Sequence, residues 1–88
     1  MKKFKAHVLI SLRPSVLDPA GEATKAAANN VGVIGITKLR IGKSIDIEIE
    51  ANSREEAIKS INFLSDRLLA NSVIEDWSLD LKSLDIKE

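Results

Sequence analysis

Residues 37–50 read TKLRIGKSIDIEIE, and this stretch decides the fold. Apolar residues alternate with charged ones on both sides of Gly42, a pattern typical of two half-buried strands joined by a tight turn. A loop over residues 42–44 places all the apolar side chains on one face, whereas a shift of one residue would move them to the other face. The opposite charges that face one another in this register are Arg40–Asp46 and Lys38–Glu48. The stretch therefore predicts a central β-hairpin.

The residues before the hairpin predict a strand followed by a helix. Apolar residues alternate with polar ones from Phe4 to Leu12, and Pro14 ends that strand. Asp18 before Pro19 is a typical N-cap, and the helix is expected to run to about Asn30, with Gly32 just past its end. The predicted inner stripe of this helix consists of small or short side chains: Ala20, Ala23, Thr24, Ala27 and Val31.

The residues after the hairpin predict a second helix and a last strand. Ser53 and Glu56 form a capping box, and the helix is expected to continue to about Leu69. Its predicted apolar face consists of Ala57, Ile58, Ile61, Leu64 and Leu68. The last strand is predicted from Val73 to Leu81, with Trp77, Leu79 and Leu81 facing inward.

The predicted element order, β-α-β-β-α-β, indicates an α+β fold of the ferredoxin-like class. We expect a two-layer sandwich in which an antiparallel sheet, of strand order 4-1-3-2, is covered by two helices on one face. Residues 1–81 form a single domain in this prediction. Residues 82–88 are expected to be a C-terminal strand extension or a frayed tail.

Composition limits the classes of function. An 88-residue chain buries roughly 60–65% of its unfolded surface, so association with other chains would help to stabilise it. Thirteen basic and thirteen acidic residues cancel, which argues against nucleic-acid binding. The sequence has no cysteine and no apolar run long enough for a signal peptide or a membrane span. We therefore expect a cytoplasmic protein without nucleic-acid or membrane partners.

The polar residues suggest little chemistry. His7, the single histidine, has no companion ligands at a metal-binding spacing and is interpreted as a surface residue. The acidic side chains at 46, 48 and 50 suit a solvated strand face better than acid–base catalysis, and they would repel the phosphates of RNA. We expect no catalytic, cofactor or metal site, because no nucleophile–base pair can be assembled from these residues.

Two features remain as candidate binding sites. Cations near a glycine turn could form a small anion site, although the spacings of phosphate loops are missing. The residues of this group are Arg13, Arg40, Gly42 and Lys43. Phe63 lies off the apolar face of its helix and is a candidate partner contact, with a singly exposed phenylalanine as the alternative. Trp77 is expected to pack at the sheet.

Three blocks of the sequence resemble one protein family. Residues 12–21 (LRPSVLDPAG), 40–43 (RIGK) and 68–77 (LLANSVIEDW) are similar to the corresponding runs of the small PurS-type subunit of phosphoribosylformylglycinamidine synthase. The order and spacing of the blocks also agree with that family. The chain departs from the family pattern at Ser72, which replaces a proline, at Trp77, which replaces a tyrosine, and in residues 82–88, which extend past the usual end.

The resemblance implies a non-catalytic role in the fourth step of purine synthesis. In that family a glutaminase subunit releases ammonia, and a large subunit uses ATP and Mg²⁺ to convert formylglycinamide ribonucleotide to the amidine. The small subunit, a dimer or a pair of dimers, bridges the two and helps ammonia to pass between them. By motif, Arg13 and the turn of Arg40, Gly42 and Lys43 are the expected contacts with partner subunits.

A regulatory domain of ACT-like type is the alternative interpretation. Such domains share the topology and also dimerise, but they bind a small metabolite. Ligand-induced thermal stabilisation would favour this alternative. Glutamine-dependent synthesis restored to a large subunit would favour the first.

Overall fold

The first strand, β1 (Lys2–Leu12), is the centre of the sheet in the computed structural model, which describes residues 1–84. Because successive side chains of a strand point to opposite faces, one face of β1 is apolar from Phe4 to Leu12. That face forms the middle of the hydrophobic core. The core residues are Phe4, Ala6, Val8, Ile10, Ala51, Ala57, Ile61, Ala70 and Leu81.

Two antiparallel strands flank β1 and give the sheet order β2-β1-β3. They are β2 (Lys43–Ala51) and β3 (Glu75–Ser83). Both neighbours of β1 are therefore the predicted ones. On the outer face, opposite charges lie across from one another between β1 and β2 at Lys3–Glu50 and Lys5–Glu48, and His7 lies across from Asp46.

The predicted β-hairpin is wrong. Residues 33–42 belong to no strand within the described part of the chain, and β2 begins only at Lys43. The predicted pairs Arg40–Asp46 and Lys38–Glu48 are replaced by His7–Asp46 and Lys5–Glu48. Alternation shows that a segment has one apolar face, but it does not identify the neighbouring strand.

Gly42 has a different role from the predicted turn. It does not begin a loop between two paired strands, because residues 33–42 form no strand and β2 begins at Lys43. A Cβ atom at this position would lie 2.6 Å from the carbonyl oxygen of Ile10. Glycine therefore lets the backbone pass close to β1 just before β2 begins.

The second helix, α2 (Arg54–Leu64), covers the inner face of the sheet. The predicted capping box is confirmed: the Ser53 hydroxyl accepts a 3.2 Å hydrogen bond from the Glu56 amide. The Glu56 carboxylate in turn accepts a 3.2 Å bond from the Asn52 amide. Ala57 is buried on this helix, as predicted.

A π-helical turn (Ser65–Leu69) extends α2 to the predicted end. The Ala70 amide donates to the Ser65 carbonyl at 2.9 Å, across five residues, so the turn is wider than an α-helical one. The wider turn changes which side chains face the sheet. Leu68, predicted to lie on the apolar face, is exposed, whereas Ser65 is fully buried.

The first helix, α1 (Pro19–Asn30), begins and ends as predicted. The Asp18 carboxylate caps its first turn, and Gly32 follows it with φ +92°. Two amide–carbonyl hydrogen bonds from residues 32 and 33 back to residues 29 and 28 close the helix in a Schellman motif. Glycine suits this left-handed position because it lacks a Cβ atom.

The predicted packing of α1 is wrong. Only Gly21 of this helix is buried, so the expected inner stripe of small side chains is exposed. We call residues 19–41 the arm. The chain measures 51 × 34 × 14 Å and has a radius of gyration of 17.1 Å. A compact domain of this length would have roughly 12 Å.

The fold class is the predicted α+β, ferredoxin-like one, with an antiparallel sheet and two helices. Within residues 1–84 three strands pair, so the elements follow one another as β-α-β-α-β, one strand fewer than in the predicted β-α-β-β-α-β order. Residues 37–41 occupy the place of the second strand in that order without pairing to the sheet. No helix within residues 1–84 is long and apolar enough to cross a membrane.

The end of the chain follows β3. The Leu84 amide donates a 2.8 Å hydrogen bond to the Lys3 carbonyl, which continues the contact with β1. Residues 85–88 of the predicted extension lie outside the described residues. The division into a domain over 1–81 and an extension over 82–88 stays a prediction.

Candidate functional site

The three sequence blocks meet at one end of the sheet. The first block follows the end of β1, the second leads into β2, and the third leads into β3. Since both neighbours are antiparallel to β1, their first residues lie beside its last ones. We call this region the junction, and it consists of Arg13, Asp18, residues 40–43 and residues 71–76.

Asp18 connects the first block to the second. Its carboxylate is only 5% exposed. It accepts a 2.8 Å hydrogen bond from the Ile41 amide and a 3.0 Å bond from the Gly21 amide. The bond from Ile41 has the largest effect and that from Gly21 the next largest, and together they hold the pKa of Asp18 below its ordinary value of 3.8. The ionised side chain thus fastens both ends of the arm.

Arg13 connects the first block to the third. Its Nε donates to the Asp76 carboxylate at 3.1 Å. Its two terminal nitrogens donate to the carbonyls of Val73 at 2.9 Å and Ser72 at 2.6 Å. The planar guanidinium holds these donors in a fixed fork, so the set positions the loop before β3. The side chain predicted to contact a partner is thus engaged within the chain.

Arg40 and Lys43 add further ties at the junction. Arg40 donates a 2.9 Å hydrogen bond to the Arg13 carbonyl. The Lys43 ammonium lies 3.6 Å from one carboxylate oxygen of Glu75, whose other oxygen accepts a 2.7 Å bond from the Asn71 amide. Both cationic side chains are largely exposed. The junction therefore presents two exposed cationic side chains near the exposed carboxylate of Asp76.

The structure brings four of the five predicted contact residues together. Arg13, Arg40, Gly42 and Lys43 all lie in the junction, whereas Phe63 lies on α2. Phe63 is 62% exposed, and the Arg67 guanidinium stacks 4.9 Å from the centre of its ring. The ring lines an apolar groove of about 540 Å³ between α2 and the free edge of β2.

The outer face of the sheet holds an arrangement that the sequence analysis excluded. His7 Nδ1 lies 2.6 Å from an Asp46 carboxylate oxygen, and Nε2 lies 3.2 Å from the Ser44 hydroxyl. The hydrogen bond from His7 lowers the pKa of Asp46. The sequence analysis did not bring these three residues together, because strand pairing joins residues that are far apart in sequence. Within residues 1–84, no group of three acidic, histidine or cysteine residues could hold a metal ion.

Sequence reasoning missed the connecting residues of the junction. Asp18 was recognised as a cap, but its second bond reaches Ile41, 23 positions away. Arg13 donates hydrogen bonds to Asp76, Val73 and Ser72, which lie 59 to 63 positions away in the sequence. The only sequence signal was that these residues fall inside the three matched blocks.

Comparisons with known proteins agree with the three blocks. A family model described as "PurS: Phosphoribosylformylglycinamidine (FGAM) synthase" matches residues 5–83. The chain is 43% identical to phosphoribosylformylglycinamidine synthase subunit PurS of Archaeoglobus fulgidus over 74 residues, which are 84% of this chain and 92% of that protein.

Solved structures show the same fold. The structure of PurS from Methanocaldococcus jannaschii, described as one of the subunits of formylglycinamide ribonucleotide amidotransferase, matches with a TM-score of 0.81 and 30% identity. The match covers 93% of this chain and 99% of that one. A chain in the structure of PurLQS from Thermotoga maritima matches with a TM-score of 0.82 and 32% identity, over 96% of this chain and 100% of that one.

Proposed function

Because the chain belongs to the PurS family of phosphoribosylformylglycinamidine synthase subunits, we propose that it is the small accessory subunit of that enzyme in purine biosynthesis. The match over residues 5–83 carries this proposal. In this role the chain bridges the glutaminase subunit and the ATP-dependent synthetase subunit, and it helps ammonia to pass between them. ATP and Mg²⁺ act in the large subunit, and this chain needs no cofactor of its own.

Reconstitution of the three subunits tests this role. Adding the chain to its glutaminase and synthetase partners should restore glutamine-dependent formation of the amidine. Synthesis from free ammonia by the large subunit should hardly change, because ammonia then needs no bridge. If the chain failed to co-elute with the other two subunits under every nucleotide and glutamine condition, the proposal would be wrong.

Self-association is part of the proposed role, as a homodimer or a tetramer. The arm carries an exposed row of small side chains on α1, and β2 has a free edge beside the apolar groove at Phe63. Small side chains allow a helix to approach another surface closely. The arm of a second copy would cover this groove and pair with β2, which supplies the apolar burial that the extended monomer lacks.

Mass measurement with matched variants tests the association. The chain has a mass of 9.6 kDa, and light scattering should give a multiple of it. Ala23→Lys with Ala27→Lys places charge on the exposed stripe and should yield monomers. Asn29→Lys, on the opposite side of α1, should not change the mass. A wild-type monomer at micromolar concentration would contradict the association.

The cations of the junction are the proposed contacts with partner subunits, together with Phe63. Arg40 and Lys43 keep exposed charge, and Phe63 keeps an exposed ring. Arg13 has an additional role, because its hydrogen bonds to the Val73 and Ser72 carbonyls position the loop before β3. Direct contact with a partner subunit and positioning of this loop can be tested separately.

Alanine variants separate the two roles. Arg40→Ala with Lys43→Ala should weaken co-elution with the partner subunits while the chain stays folded. Lys2→Ala with Lys82→Ala removes the same charge toward the other end of β1 and should leave co-elution unchanged. If alanine at Arg13, Arg40 and Lys43 together left assembly intact, the junction would not be the contact surface.

A further inference from the structure

A serine, a histidine and an aspartate form a hydrogen-bonded chain on the outer face of the sheet, away from the helices. The Ser44 hydroxyl lies 3.2 Å from His7 Nε2, and His7 Nδ1 lies 2.6 Å from Asp46. Both distances are within the range that joins a nucleophile to its base and the base to an orienting group. The role proposed above makes no use of these three residues.

The sheet register builds this arrangement. His7 and Asp46 are directly opposed between β1 and β2, and Ser44 lies two residues earlier on the same face of β2, opposite Leu9. Side chains two apart on a strand share a face, so all three point outward together. The backbone hydrogen bonds of the sheet therefore fix the spacing, which gives more precise placement than a loop would.

The protonation pattern suits proton transfer. The hydrogen bond from His7 favours the ionised form of Asp46. An ionised Asp46 keeps the imidazole proton on Nδ1, which leaves the lone pair of Nε2 to accept the Ser44 proton. Asp80 lies opposite His7 on β3, and Lys5, Lys82 and Asp80 line the same shallow recess as the imidazole.

An open cavity adjoins the serine. Its volume is about 550 Å³, and Ser44 lines it together with Leu9, Trp77 and Ser78. Leu9 is 51% exposed and lies directly across from Ser44, so an apolar group seated on it would be beside the hydroxyl. The cavity thus fits the acyl or aryl part of a small ester.

We propose that Ser44, His7 and Asp46 form an acyl-transfer site for small activated esters. Ser44 Oγ attacks the carbonyl carbon while His7 Nε2 takes its proton, the new C–O bond forms, and the bond to the alcohol or phenol leaving group breaks. The proton passes from His7 to the leaving group or to solvent. Water then attacks the acyl-serine with His7 again as base, which releases the acid and returns the proton to Ser44.

Hydrolysis of p-nitrophenyl acetate by the purified chain tests this site. Because the site lies on an open sheet face, we expect the lower end of general-base assistance, so Ser44→Ala and His7→Asn should each lower the chain-dependent rate by about 100-fold. Asp46→Asn should lower it less. Glu50→Gln, on the outer face of β2 but outside the cavity and the recess, should leave it unchanged. All four positions are on the outer face, and circular dichroism checks that each variant is folded.

A second measurement on the wild-type chain uses a fluorophosphonate probe and peptide mapping. The probe should label Ser44, and His7→Asn should abolish the label, which a merely structural histidine would not do. Full esterase activity in Ser44→Ala, an adduct on lysine or histidine alone, or no adduct at all would overturn the proposal. None of these results bears on assembly with the synthase subunits.

Discussion

Replacement of Arg13 by alanine should destabilise the chain by about 2–3 kcal/mol. The substitution removes an ion pair to Asp76 whose side chains are 42% and 62% exposed, which is worth about 0.5 kcal/mol. It also removes two hydrogen bonds to carbonyls, at 2.9 and 2.6 Å, worth about 1 kcal/mol each. Ser72 and Val73, which carry those carbonyls, are exposed, so water replaces the lost donors and no larger penalty applies.

Urea unfolding at a fixed protein concentration measures this change. Trp77, the only tryptophan, lies in β3 at the end of the third block and provides a fluorescence signal. The loss corresponds to a fall in melting temperature of roughly 10–20 °C for a domain of this size. Arg13→Lys should recover less than half, because an ammonium cannot reproduce the fork of donors. A free energy of unfolding within about 0.5 kcal/mol of wild type for Arg13→Ala would refute the reasoning.

Three further predictions concern the packing and the titration of the chain. Gly42→Ala should cost about 1–3 kcal/mol in urea unfolding, because its methyl group would meet the Ile10 carbonyl oxygen at 2.6 Å. Ser65→Ala should stabilise the chain by about 1 kcal/mol in the same assay, because the fully buried Ser65 hydroxyl has no hydrogen-bond partner among residues 1–84. Acid should destabilise the chain: since Asp18 and Asp46 have lowered pKa values, their contribution is complete above the ordinary value of 3.8 and is lost as pH falls through the folded values. Urea midpoints between pH 6 and pH 3 should therefore fall less steeply for Asp18→Asn than for wild type.

Elements whose signals are local were predictable from the sequence. The alternation from Phe4 to Leu12, the cap at Asp18 and the capping box at Ser53 each depend on residues within one or two turns, and the structure confirms all three. The apolar face of the last strand was predictable for the same reason.

Features that depend on distant partners were not predictable. The alternation at 37–41 is real, but nothing in it shows that those residues lie along the arm, where the Lys25 ammonium donates to the Thr37 carbonyl at 3.2 Å. The phase change after Leu64 depends on a single wider helical turn. The contact between His7 and Ser44 requires the register between β1 and β2, which the sequence analysis did not predict.

In the candidate site, too, only part of the arrangement was predictable from the sequence. The family blocks located the junction residues correctly, since Arg13, Arg40, Gly42 and Lys43 lie together. The bonds that Arg40 donates to Arg13, and Arg13 to Val73 and Ser72, were beyond the sequence, because each spans 27 residues or more. Whether these residues contact partner subunits stays a prediction.

The Asp18 carboxylate accepts hydrogen bonds from both ends of the arm, at the Gly21 and Ile41 amides. The bond from the Ile41 amide closes residues 18–41 into a ring without a covalent link, so the far end of that ring is mechanically separate from the sheet. Gly32 and Gly35, with φ of +92° and +95°, lie there with open space around them. Residues inserted between these glycines should cost only loop entropy, about 0.6 kcal/mol for each doubling of the ring. The tip is therefore a suitable place to graft a tag or an epitope without disturbing the strands.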